Sequence, residues 1–222
     1  MNAARFYRWC GLFGAFGAAG LMQLPAQEAK PSEVAKKEGA LPCPYVSHIV
    51  LDQRTDPAKP MGKRNVTGQE HCLITQSELN PTLAIFSSTL PTAEASIGKL
   101  TKKANELREL YKAEDFNAFV LFTVLKDDFA TDVNADKSAQ AIRAWGEALK
   151  QPGVVLGLAS RGPDDKPTEA AKGWNISTEG TTVVLFHRHK IIKRWDFAND
   201  AAVSDAAIAE IDAETTKEMK RK

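Results

Sequence analysis

The chain has 222 residues, of which 43% are hydrophobic, 26% are charged and 8% are aromatic, with 29 Lys and Arg against 28 Asp and Glu. This composition is typical of a globular domain of about 150–200 residues with extensions, and it argues against a disordered, collagen-like or membrane-spanning chain. The formal charge of +1 lacks the basic excess of nucleic-acid-binding proteins, so we expect no nucleic-acid partner.

The first 26 residues have the three-part pattern of a secretory signal peptide. Arg5 and Arg8 form a short positive region, residues 11–24 are apolar, and Ala26 is a small residue before a cleavage position. The apolar stretch is shorter than the roughly 20 residues of a membrane-spanning helix. We therefore expect a signal peptide over residues 1–26 and an exported protein, periplasmic or extracellular, with no stable membrane insertion after cleavage. An uncleaved anchor is the alternative.

Cleavage would remove Cys10 and leave Cys43 and Cys72, with 27 basic and 28 acidic residues and a net charge of −1. In an oxidising compartment two cysteines most simply form one disulfide, so Cys43 and Cys72 are the disulfide candidates. A bridge across 28 intervening residues would stabilise the fold by about 3–4 kcal/mol in the chain-entropy model. With His48 and His71 these cysteines could supply four metal ligands, but they lack the close spacing of zinc sites, so we predict no metal.

The mature chain divides into four segments. Residues 27–42 are charged and contain Pro and Gly, which predicts a flexible linker. Residues 43–81 form a loop-rich N-terminal extension in which only residues 46–51 resemble a strand. Regular patterns begin at residue 82, so we place the folded domain at 82–216 and a basic tail at 217–222.

Strands and helices alternate within this domain. The predicted strands are residues 82–86, 118–125, 154–159, 181–186 and 191–197. The predicted helices carry apolar stripes at Ile97, Leu100, Ala104, Leu107 and Tyr111, at Ile142, Trp145 and Leu149, and at Ile208 and Ile211 after a Ser204 cap, and a short helical turn is predicted at 168–172. The alternation predicts parallel strands joined by right-handed crossovers, with helices on both faces. Because the last two strands form a hairpin, the sheet is expected to be mixed, within an α/β three-layer sandwich.

This element order resembles the thioredoxin fold over residues 82–216. The extra helix and strand at 137–159 are similar to the peroxiredoxin and TlpA/ResA-like branch, and residues 174–186 resemble the family's stretch from a short helix into the penultimate strand. The chain also resembles a group of uncharacterised secreted bacterial thioredoxin-like proteins, which carry a cysteine-bearing loop before the first core strand. Here that loop contains residues 71–75, with Cys72.

The chain departs from this family at both halves of the usual redox site. A thioredoxin-type enzyme carries Cys-x-x-Cys between the first core strand and its helix, because the helix N-terminus stabilises a thiolate. Here residues 87–94 contain no cysteine, and none follows Cys72, so a peroxidatic cysteine is missing too. The family's cis-proline position falls at Gly180 or Thr181. The sequence therefore excludes thiol chemistry at the standard site.

A calcium site is considered at residues 132–143. Asp132, Asn134 and Asp136 match the first three ligand positions of a calcium loop. Lys137 stands where the sharp turn needs Gly, and Arg143 where a bidentate Glu is needed. We therefore favour Asp136 as the N-cap of the following helix.

Two further groups of residues receive a structural interpretation, and one cysteine stays a catalytic candidate. Ser87, Ser88 and Thr89 have no neighbouring base and no nucleophile elbow, so we expect them to cap a helix. Residues 187–189, which read His-Arg-His, are expected to form a solvated hairpin tip. Cys72 is left as a weak candidate catalytic residue, provided that its loop approaches the sheet.

Two hypotheses of different classes follow. The leading one is an exported thioredoxin-fold protein without the standard redox site, which serves as a non-catalytic binding or structural module. It would need no cofactor, and its partner would be an unidentified protein or small molecule. The alternative is a thiol-disulfide oxidoreductase or peroxiredoxin-like antioxidant enzyme that uses Cys72, with Cys43.

Overall fold

The computed structural model describes residues 45–54, 65–77, 79–92, 96–123, 132–159, 173–177, 179–199 and 203–221, with the backbone alone at 132–134. The predicted signal peptide and linker, Cys43 and the helical turn predicted at 168–172 lie outside these ranges. No helix within them is long and apolar enough to cross a membrane.

Seven strands and four α-helices make up the described chain. The strands are β1 (Val46–Leu51), β2 (Glu70–Cys72), β3 (Thr82–Ser87), β4 (Asn117–Phe122), β5 (Val155–Ala159), β6 (Thr181–His187) and β7 (Lys190–Phe197). The helices are α1 (Leu73–Gln76), α2 (Ser96–Leu110), α3 (Asp132–Leu149) and α4 (Asp205–Met219), and a 3₁₀ helix covers Lys112–Glu114.

All seven strands belong to one mixed sheet in the order β2-β1-β5-β4-β3-β6-β7. Strands β3, β4 and β5 are parallel, whereas β1 runs antiparallel to β5 and β6 runs antiparallel to β3. The predicted α/β class and closing hairpin are thus confirmed. The unit β4-β3-β6-β7 with α2 and α4 is thioredoxin-like, and the added α3 and β5 give the predicted peroxiredoxin/TlpA-like form.

The long helices lie on one face of the sheet, not on both as the alternation predicted. The steps from β3 to β4 and from β4 to β5 go in the same direction, so two right-handed crossovers place α2 and α3 on the same side. Helix α4 packs there as well. The apolar residues of this helix side include Ile97, Leu100, Leu107, Ile142, Ile208 and Ile211.

Within the described chain, the opposite face, which we call the second face, is covered mainly by the N-terminal extension. Tyr45, Leu73, Ile74 and Trp174 cover strand residues such as Phe86 there, and all five are buried. The third layer of the predicted sandwich therefore comes from short segments. The extension is also more regular than predicted, because it contributes two strands and α1 to the fold.

A buried ion pair between Asp52 and Arg54 links separate segments of this extension. Arg54 donates from Nε to Asp52 Oδ1 and from Nη2 to Asp52 Oδ2, at 2.9 Å each, and the backbone N–H of Val66 donates to the same carboxylate. Arg54 also donates to Gln76 of α1 at 3.3 Å. Because Asp52 is 1% exposed, its charge depends on these donors for compensation.

Helix boundaries differ from the sequence predictions at two places. Helix α3 begins at Asp132, so Asp136 lies inside the helix and the prediction that it forms the N-cap is wrong. Helix α4 begins after Ser204, whose Oγ accepts the Ala207 N–H at 3.2 Å, as the cap prediction required. It continues to Met219, which is buried, so the regular structure extends into the segment assigned to a basic tail.

Candidate functional site

The carboxyl ends of the parallel strands define the sheet edge that carries the candidate site. Ser87 ends β3 and Ala159 ends β5 at this edge. Since β1 is antiparallel to β5, its first residue, Val46, lies at the same edge, and Val46 pairs with Cys72. Strand β6 begins there with Thr181, which pairs with Ser87. In open α/β sheets, ligands bind outside the carboxyl ends of the strands.

The junction that follows β3 is closed by local hydrogen bonds. Ser87 Oγ donates to the carbonyl of Thr89 at 3.0 Å and accepts the Thr89 N–H at 3.4 Å. The Ser88 N–H donates to the carbonyl of Gly180 at 2.9 Å, and the Thr123 N–H donates to the carbonyl of Ser87 at 2.7 Å. The Ser87 hydroxyl therefore closes a turn. The prediction that it caps a helix is wrong for this residue.

Gly180, one of the two residues at which the family's cis-proline position was expected, has a conformation that proline cannot adopt. Its φ is +84°, whereas the proline ring holds φ near −65°. A Cβ at this position would overlap the carbonyl oxygen of Phe197 and lie 2.6 Å from the carbonyl carbon of Ala198. The loop before β6 thus needs glycine here.

Arg194 holds this loop against β7. Its guanidinium donates to the backbone carbonyls of Trp174, at 2.6 Å, and Asn175, and it pairs with Asp196 at 2.7 Å. The other contact of Asp196 is Thr182, whose Oγ1 donates at 2.8 Å. Charge-assisted bonds of this kind are stronger than neutral ones, so they fix the loop beside the junction.

Two hydroxyl side chains lie next to each other on the helix side of the junction. Thr181 and Ser87 are cross-strand partners, and Thr181 alternates along β6 with residues of the second face. The Thr181 Oγ1 is fully buried and has no hydrogen-bond partner among the described residues. A buried hydroxyl without a partner costs about 1–3 kcal/mol.

The chemistry available at this junction is hydrogen bonding. In the described chain no imidazole or carboxylate hydrogen-bonds to Ser87, Ser88 or Thr89, and a hydroxyl nucleophile needs such a base. The hydroxyls and backbone groups can donate and accept hydrogen bonds from a bound molecule.

Cys72 lies at the same edge but not at the junction. Its strand, β2, is four strands away from β3, which corresponds to about 19 Å across the sheet. The thiol is partly exposed and forms no disulfide with any described residue. Its Sγ accepts hydrogen bonds from the Tyr45 N–H at 3.3 Å, from the Thr75 N–H at 3.4 Å and from Thr75 Oγ1 at 3.2 Å. Because Cys43 lies outside the described residues, the disulfide stays a prediction.

Tyr45 connects the Cys72 turn to the aromatic cluster beneath the junction. Its ring packs edge-on against Phe86 and Trp174, with centroids 5.7 and 6.4 Å apart. Burial raises the pKa of the Tyr45 phenol well above its usual range. The sequence did not predict that Tyr45 is buried beside the site, because a single tyrosine before a strand belongs to no pattern that indicates burial.

The other candidate sites do not assemble as ligand sets. Among the described residues no three His, Cys, Asp or Glu side chains are grouped to hold a metal ion. His48 instead faces Glu70 across the β1–β2 pair, with Nδ1 and Oε1 3.3 Å apart. The backbone from Asp132 to Asp136 is helical and lacks the turn of a calcium loop.

The hairpin tip is only partly as predicted. Arg188 and His189 form the two-residue turn between β6 and β7. His187, however, is not solvated: its side chain is 15% exposed, and its Nδ1 lies 2.9 Å from Oε1 of the buried Glu218.

Comparison with known proteins gives structural neighbours only. No family model matches the sequence, and no curated protein matches it. Solved structures that resemble the chain include reduced Prx3 in complex with H2O2 from Vibrio vulnificus (14% identity, 80% of this chain and 98% of that chain covered, TM-score 0.47). Others are a thiol peroxidase from Chromobacterium violaceum (12%, 83% and 89%, 0.46) and BsSco, a member of the Sco family of cytochrome c oxidase assembly proteins (12%, 85% and 98%, 0.44). The strand order itself establishes the fold.

Proposed function

We propose that this protein is an exported thioredoxin-fold binding module whose junction after β3 recognises a polypeptide or a small polar molecule without reacting with it. The observation that supports this function is that the buried hydroxyl of Thr181, which has no partner among the described residues, lies beside Ser87 at a junction where Ser88 is half-buried and Thr89 is exposed. A junction with hydroxyls and backbone groups, but with no thiol and no base, is suited to binding by hydrogen bonds.

Replacement of Thr181 by valine tests this proposal directly. Thr181→Val removes the hydroxyl and keeps the shape, so it should stabilise the fold by about 1–2 kcal/mol while weakening binding. The probe is carboxymethylated insulin B chain, an extended peptide without thiols, and the readout is the NMR shift of the Ser88 and Gly180 amides.

Thr215→Val is the matched control, because Thr215 is also buried but its Oγ1 donates to the Ile211 carbonyl at 2.8 Å. This control should leave the peptide-induced shifts unchanged. Peptide-induced shifts that are equal in Thr181→Val and in the natural protein would remove Thr181 from the binding function.

A second candidate function, thiol chemistry at Cys72, is favoured by the three hydrogen bonds that its sulfur accepts. A thiolate there could attack a substrate disulfide, forming a mixed disulfide and releasing one substrate thiolate. A second thiol, from Cys43 or from a small-molecule reductant, would then release the substrate and take over the bond to Cys72.

Insulin reduction and peroxide consumption distinguish the two functions. The binding function predicts that neither activity exceeds the uncatalysed rate. Turnover that is lost in Cys72→Ser, slowed in Thr75→Val and retained in Thr75→Ser would establish the second candidate in its place. Export is tested separately by cell fractionation and N-terminal sequencing, and a mature chain that begins near Gln27 in the exported fraction is the expected result.

A further inference from the structure

A cavity lies at the end of the sheet opposite to the candidate site, where the β6–β7 hairpin meets the C-terminal end of α4. Its volume is about 360 Å³, and its wall is formed by His187, Arg188, Lys190, Ile192, Glu218 and Arg221. Small-molecule pockets occupy roughly 300–1,000 Å³, so this space suits a small ligand. Three of the six lining side chains are cationic and one is a carboxylate.

The carboxylate of Glu218, the one acidic side chain of this wall, already has polar partners. Glu218, whose side chain is 8% exposed, has Oε1 2.9 Å from His187 Nδ1 and accepts at Oε2 a hydrogen bond from Arg221 at 3.2 Å. Arg221 also faces the partial negative charge of the α4 C-terminus. In the described chain Arg188 and Lys190 form no ion pair, so their two positive charges are left for a ligand.

The turn holds Arg188 at this wall in an unfavourable conformation. Arg188 and His189 have φ values of +51° and +59°, a region that type I′ turns usually fill with Asn and Gly. The Arg188 N–H also donates to the carbonyl of Leu79 at 3.3 Å, which ties the turn to the segment before β3. Non-glycine residues in this region cost local stability and are enriched at binding and catalytic sites.

We propose that this cavity binds a small organic anion, with a carboxylate or phosphate group between Arg188 and Lys190 and an apolar part against Ile192. Arg188 supplies paired N–H donors that match either acid, and Lys190 supplies a second positive charge. Ile192 is 38% exposed, so an apolar group of the ligand would cover surface that now contacts water. This site is independent of the function proposed for the junction.

Titration of the full-length protein with phenyl phosphate and phenylacetate, followed by the NMR amide shifts of His187, Arg188 and Arg221, tests the proposal. Saturable shifts with either acid support it, and the acid that binds more tightly identifies the anionic group. Benzyl alcohol, which has the ring without the charge, should produce no saturable shift. The absence of saturation by both acids, or equal shifts with benzyl alcohol, would overturn the proposal.

Arg188→Gly combined with Lys190→Gln should weaken binding at least tenfold. Glycine suits the left-handed turn, so this variant is expected to fold with an unchanged or higher melting temperature, and the loss of binding is separated from unfolding. The control is Lys112→Gln, which removes one exposed charge from the 3₁₀ helix and should bind as the natural protein does. Equal affinity in all three proteins would mean that the cavity is not the binding site.

Discussion

Replacement of Gly180 by alanine should destabilise the fold more than the same change at another left-handed glycine. Gly180 has φ +84° and Gly68 has φ +80°, so both substitutions force alanine into a conformation that costs roughly 1–2 kcal/mol. At Gly68 nothing lies within 4 Å of an added Cβ, whereas at Gly180 the Cβ meets backbone atoms of Phe197 and Ala198. Overpacking of this kind adds about 1–3 kcal/mol.

We therefore expect Gly180→Ala to lower the free energy of unfolding by about 2–5 kcal/mol and Gly68→Ala by about 1–2 kcal/mol. Urea denaturation, followed by tryptophan fluorescence and circular dichroism, measures both values. The difference between the two variants isolates the clash, because the conformational strain is common to them. Values that agree within about 0.5 kcal/mol would show that the loop before β6 adapts to a side chain, and would refute the close approach described here.

Three further substitutions test the charged and buried groups of the fold. Asp52→Asn should lower the free energy of unfolding by about 3–5 kcal/mol, because it leaves the buried Arg54 without its carboxylate, as urea denaturation would show. The hydrogen bond from Lys193 lowers the pKa of Glu210 in the folded protein. Ionised Glu210 therefore stabilises the fold above the pKa of an ordinary glutamate, and this stabilisation is lost as the pH falls through the lowered pKa of the folded state. Glu210→Gln should therefore lose less stability than the natural protein between about pH 6 and about pH 3. Burial raises the pKa of Tyr45, so its contribution is lost as pH rises above about 10, and Tyr45→Phe should flatten the alkaline unfolding curve.

Each of these three expectations has its own control or contrary outcome. Asp205→Asn removes an ion pair with Lys99 whose side chains are 64% and 83% exposed, so it should cost no more than about 1 kcal/mol. An equal loss of stability in Asp52→Asn would mean that the buried ion pair stabilises the fold no more than the exposed one. For Glu210→Gln and Tyr45→Phe, acid and alkaline curves that parallel those of the natural protein would contradict the assigned causes.

The sequence predicted the central strands well because their apolar runs have one interpretation. Residues 82–86 and 118–125 are apolar enough to predict buried strands, and the structure has β3 at Thr82–Ser87 and β4 at Asn117–Phe122. The short edge strand β2 was missed because Glu70, His71 and Cys72 have no apolar pattern, and only their backbone pairing with β1 makes them a strand. Strand order then determined which face each helix covers, and this is not visible in local periodicity.

Only the absence of cysteines at the candidate site could be predicted from the sequence. The absence of cysteine after Cys72 can be read from the sequence, and the structure places the side chains of Ser87 and Thr181 next to each other at the junction after β3. The buried, unpartnered state of Thr181 depends on the pairing of β6 with β3, and the burial of Tyr45 depends on how the extension crosses the sheet. Both features arise from contacts between segments that are distant in sequence, so no local sequence pattern predicts them.

The position of β1 in the sheet has a consequence for how the chain folds. Ser47 pairs with Ala159, so β1, the first described strand, has to wait for more than a hundred later residues before its partner β5 exists. Chains dominated by such distant pairings fold slowly, because loop closure precedes any gain from contact. The second face, which relies on Tyr45, Leu73 and Ile74 from the same early segment, would close last. The nascent chain would thus leave this face of the sheet uncovered at least until Ala159 has been synthesised.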